Sequence, residues 1–174
     1  MTGNASRKEE KQQRMFLRQN IHRIWSIMKS GRRDQLSDRD NQLAEILMDH
    51  EEYGDHFENT DILDGREYEA GMTFNPFLHI STHKMVEDQL SADSPIETAI
   101  FCEAIEERGF SRHEAIHFVI MILLHVIYAS ASTKRPFDAA RYKRLLTICK
   151  EVDPSQIDEV IEEDFSKRYR QDLH

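Results

Sequence analysis

Two pairs of histidines stand at i, i+4 spacing: His79 with His83, and His113 with His117. On an α-helix this spacing sets two side chains one turn apart on the same face. Nine histidines in 174 residues would supply about half of one such pair by chance, so two pairs point to a site. Imidazole nitrogens suit Zn, Fe or Ni, whereas a cluster poor in carboxylates does not suit Mg or Ca. Helical bundles build metal centres in this way, from side chains directed inward by facing helices. The expected ligands are therefore His79, His83, His113 and His117. Two further candidates are His50, which continues an apolar stripe, and Glu87, one turn beyond His83.

The second pair also reads His113-Glu114-Ala115-Ile116-His117, an H-E-x-x-H string. In metalloproteases that spacing supplies two zinc ligands and a glutamate base. Glu114 is thus the candidate catalytic base for metal-assisted hydrolysis. Three features weigh against a peptidase. Ser111-Arg112-His113-Glu114 reads as a capping box, which accounts for Glu114 without catalysis. The residues after His117 form an apolar run, Phe118 to Leu124, with no glycine where a metzincin carries one. No strand-period segment offers an edge to hold a peptide. A ferritin-like di-iron centre needs two Glu-x-x-His motifs, and only Glu114 with His117 fits. A mononuclear or histidine-rich dinuclear site, activating water or binding oxygen, is the enzymatic reading. Its competitor is a non-enzymatic helical interaction module with buried, hydrogen-bonded histidines and no metal. His125 follows His117 by eight residues, roughly 80° around the helix, and ranks below the two pairs.

These residues need helices to position them, and the sequence punctuates helices clearly. A first helix is expected over about Ser6 to Lys29, with Leu17, Ile21, Ile24, Trp25 and Met28 on one stripe and Gly31 closing it. Ser37 and Asp40 resemble a capping box opening a second helix to about Tyr53, whose apolar face runs Leu43, Ile46, Leu47, His50. Gly54 to Phe74 shows no period and reads as a long loop or lid. Asn75-Pro76 starts a third helix, with His79, His83, Val86 and Leu90 on one face. Ser94-Pro95-Ile96-Glu97 reads as a capping box for a fourth helix ending near Gly109, and Ser111 to about Ser132 is the fifth. Pro136 to Lys150 makes a sixth, and Asp153-Pro154-Ser155-Gln156 caps a seventh, amphipathic through Ile157, Val160, Ile161 and Phe165. The expected fold is all-α: a single-domain bundle of six to seven helices over 15–174, preceded by a polar extension or helix start at 1–14.

Composition sets the outer bounds. Charged residues make up 32%, with only 6 Gly and 4 Pro, as in a mostly helical soluble protein. A net charge of −9 disfavours nucleic acid and anionic membrane as partners. Cys102 and Cys149 form no C-x-x-C and read as buried thiols of a reducing compartment. The first fifteen residues are polar and charged, unlike a leader. The most apolar run, Phe118 to Ala129, is twelve residues long against the ~20 that span a bilayer. A cytoplasmic location is expected. A homodimer would follow naturally if the first or last helix left an apolar stripe uncovered.

The strings Asn75-Pro76-Phe77-Leu78-His79 through His83 and His113-Glu114-Ala115 through His117 resemble the bacterial domain-of-unknown-function 1841 family. The likeness spans roughly Phe16 to Leu146 and takes in His50-Glu51-Glu52-Tyr53, where the family tends to show His-Pro-Glu-Tyr. The resemblance implies a small cytoplasmic helical protein marked by these histidine segments, and it implies no reaction. The family tends to carry acidic residues along the central helix after the second histidine. Here Ile116, Met121 and His125 stand where acids are expected, so a carboxylate-rich site is disfavoured and His125 could replace an acid.

Overall fold

A computed structural model describes the backbone of residues 3–58 and 75–171 and the side chains of residues 12, 15–58 and 75–166. Among the described residues every regular element is helical. The chain divides into two compact units, Met1–Lys84 and Met85–His174. The division falls inside one continuous helix.

In the first unit, α1 (Gly3–Lys29) runs past both ends of the stripe read from the sequence. Gly31 closes it at a φ of +71°, a conformation open to glycine without steric cost, with its amide bonded to Met28 O. A 3₁₀ turn (Arg33–Gln35) leads to α2 (Asp38–Met48). Ser37 caps α2 by accepting from Asp40 N, while the Asp40 carboxylate meets Arg23 at 2.9 Å. The expected extension of this helix to Tyr53 is not found. α2 ends at Met48, and the chain turns through His50 into a 3₁₀ turn (Glu51–Tyr53) and the short α3 (Gly54–Glu58). The expected 54–74 loop is therefore helical over its first five residues, and its remainder lies outside the described residues. α4 (Pro76–Ser91) begins as expected, with Asn75 Oδ1 accepting from Phe77 N and Leu78 N at 3.1 Å. The core joins Ile21, Ile24 and Trp25 of α1 to Leu43, Ile46 and Leu47 of α2, with Phe57, Phe77 and Ile80. Trp25 sets its ring edge-on to Phe57 at 5.4 Å and sends Nε1–H to Glu58 at 3.1 Å.

The second unit holds the end of α4 and α5 (Ile96–Glu106), α6 (Arg112–Ser132), α7 (Ala139–Glu151), a 3₁₀ turn (Pro154–Gln156) and α8 (Ile157–Gln171). The expected Ser94 cap is replaced: Pro95 precedes α5, and no side chain caps it. α7 begins three residues later than expected, capped by Asp138 accepting from Arg141 N. By length and composition α6 is apolar enough to cross a membrane. It is packed by α5, α7 and α8 and buries Val119, Ile120, Ile122, Leu123 and Val126, as a core helix does. Phe101, Ile105, Tyr142, Leu145 and Leu146 complete that core, and Cys102 and Cys149 are buried free thiols within it. Burial raises the thiol pKa values to about 12 and about 11 respectively, which makes both inert.

Candidate metal centre

The end of α2 and the first half of α4 bring three histidines of the first unit together. His50 stands two residues past α2 and is 1% exposed. Its Nδ1 lies 2.7 Å from Ile46 O, one of the carbonyls that a helix C-terminus leaves without an intrahelical partner. A carbonyl only accepts, so Nδ1 carries the proton and, in the neutral ring, Nε2 is an acceptor. The same bond orients the ring and raises its basicity, as the outer partner of a ligating histidine does. Asn75 sets the start of α4, and four-residue spacing then stacks His79 and His83 on one face.

The three rings are mutually close. Centroids lie 4.7 Å apart for His50 and His79, 4.3 Å for His50 and His83, and 4.7 Å for His79 and His83, all near edge-on. His79 Nε2 is 2.9 Å from His50 Nε2. With His50 accepting, His79 supplies the proton between them. Imidazole donors would suit a borderline transition ion; His50 and His83 are among the residues that could hold one, whereas His79, engaged with His50, is not. Tyr53, in the 3₁₀ turn after His50, sets its ring 6.0 Å from His50 and 5.9 Å from His79. Its closeness was not read from the sequence, although three-residue spacing from His50 was the available signal.

In the second unit, His113 and His117 sit on the first turns of α6 with ring centroids 4.3 Å apart. The structure thus pairs these two and clusters the other three. Glu114 forms the expected capping box: Ser111 Oγ accepts from Glu114 N, and Glu114 Oε2 accepts from Ser111 N at 2.8 Å and Ser111 Oγ–H at 2.7 Å. These bonds from Ser111 hold the carboxyl below its ordinary pKa, with His113 and His117 adding to the effect. Glu87 meets Arg112 at 2.8 Å. His125 contacts Arg141 and Asp164, partners 16 and 39 residues distant that no sequence spacing indicates.

A family model described as "Domain of unknown function (DUF1841)" matches residues 11–148, the span that carries all five clustered or paired histidines. No curated protein and no solved structure matches the chain.

Proposed function

The chain belongs to the DUF1841 family, and on that footing we propose that it is a metal-binding protein whose ion is held by its clustered and paired histidines. The observation that carries this reading is the cluster of His50, His79 and His83, with the His50 ring oriented through Ile46 O. His113 and His117 are proposed as the donors that the second unit contributes. Glu87, engaged by Arg112, is a secondary candidate.

An ion of Zn, Fe or Ni held by neutral imidazoles supplies Lewis acidity. The protein's part is to fix the rings before the ion arrives, which the Ile46 carbonyl and the rigid spacing on α4 do. In the hydrolytic form of this proposal Glu114 takes a proton from water. Its cap bonds make it a weaker base, which favours metal binding or oxygen binding over hydrolysis. A second reading has its own observation: His50 and His79 satisfy one another through a hydrogen bond, as structural histidines in an interaction module would.

Metal content after reconstitution with Zn, Fe, Ni and Mn, on protein carrying no histidine tag, separates the two. We expect about one ion per chain, and its loss in both His83→Ala and His117→Ala. Less than about a tenth of an ion per chain for every metal tried would establish the structural reading. Loss in His83→Ala alone would confine the site to the first unit.

A further inference from the structure

The second unit contains a buried polar group that metal binding does not use. Arg141 of α7, 5% exposed, donates from Nη2 to His125 Nε2 of α6 at 3.0 Å and from Nε to Asp164 Oδ2 of α8 at 2.6 Å. Its Nη2 also pairs with the same carboxylate. Arg144, one turn farther along α7, reaches Asp164 Oδ1 at 2.7 Å. His125 Nε2 and Asp164 Oδ2 lie 3.4 Å apart, and the edge of Phe165 covers the His125 ring at a centroid distance of 6.1 Å.

A guanidinium donates and never accepts. His125 must therefore offer Arg141 a lone pair at Nε2 and keep its own proton on Nδ1. With His125 neutral, two guanidinium groups and one carboxylate leave the cluster with a single net positive charge. A proton on Nε2 removes the acceptor that Arg141 uses and sets a second positive charge against its buried guanidinium. It also turns His125 into a competitor for Asp164, the carboxylate through which both arginines hold α8.

We propose that His125, Arg141 and Asp164 form a proton-operated latch, which holds α8 against α6 and α7 while His125 is neutral and loosens it when His125 is protonated. The charged groups facing His125 are Arg141 from α7 and Asp164 from α8, and Arg144 bonds the other oxygen of Asp164. Burial is the largest influence on His125 and lowers its pKa, Asp164 opposes this, and Arg141 reinforces it. Burial also acts to raise the pKa of Asp164, but the bonds from Arg141 and Arg144 outweigh it, so the carboxylate stays ionised while His125 titrates. A base whose folded pKa is depressed takes up its proton more readily once released. The latch therefore contributes fully above the ordinary histidine pKa of about 6.5 and weakens as pH falls through it.

Hydrogen exchange on the full chain tests this, with α8 amides followed from pH 8 to pH 5, corrected for intrinsic exchange and referenced to α5. Protection of α8 should fall by about tenfold for each pKa unit by which folding depresses His125. In His125→Gln, whose carboxamide accepts from Arg141 but takes no proton, α8 should stay protected at both ends. Equal loss of α8 protection in the two proteins, or none in the wild type, would overturn the latch. Should the variant fail to fold, imidazole nitrogen shifts of wild-type His125 decide. The Nδ1–H tautomer at pH 8 supports the latch, and a proton on Nε2 refutes it.

Discussion

His50 uses its two ring nitrogens for different tasks, one closing the end of α2 and the other facing His79. That division depends on the backbone turning sharply just after α2, and Gly54 lies in the same turn. Gly54 has ordinary helical angles, so its requirement is not conformational. A Cβ added there would lie 2.9 Å from Trp25 Cζ2, against an indole held by Phe57 and Glu58. A planar ring locked in a core cannot yield as a flexible chain end does. Gly54→Ala should thus destabilise the first unit by about 1–3 kcal/mol through overpacking, read as a lower denaturation midpoint at unchanged slope. An unchanged midpoint would mean that the indole moves freely. The sequence displayed the histidines through their spacing, but the steric demand on Gly54 was hidden because Trp25 lies 29 residues away on another helix.

Elements were legible where their signals are local. Ser111 with Glu114 and Asn75 before Pro76 open α6 and α4 where the side-chain chemistry required. Their hydrogen bonds span two or three residues and depend on little else. Ser111→Ala should cost about 1 kcal/mol by removing the acceptor for Glu114 N, measured by thermal or denaturant unfolding. A loss near zero would mean that packing alone fixes the start of α6. The capping carboxylate adds its own dependence on pH. Because Ser111 lowers the pKa of Glu114, the cap is intact above the ordinary carboxylate range and fails as acid takes the pH below it. Signals were misleading where tertiary structure overrides pattern. The stripe Leu43, Ile46, Leu47, His50 continues at helical spacing, yet the helix stops at Met48, with no glycine or proline to announce it. His50 stays buried through the turn instead. Asp164 and Arg141 were invisible for a related reason: their meaning arises only when α7 and α8 pack together.

For the whole molecule, the net charge of −9 acts at distances where individual contacts do not. It should suppress association with DNA and RNA, and a gel-shift titration at physiological salt should show no retarded species up to micromolar protein. A salt-dependent complex would instead mean that the basic side chains gather on one face. The helical character of the described residues was evident from composition and periodicity. The division into two compact units was not, because it falls at Lys84–Met85 within an unbroken helix. A helix carries no linker composition to mark such a boundary. Trp25 gives that division a spectroscopic handle. It is the one tryptophan of the chain and belongs to the core of the first unit. Its red-edge fluorescence therefore reports the melting of that unit alone, while far-ultraviolet dichroism sums every helix. Native protein already contains the paired probes that distinguish one cooperative transition from two.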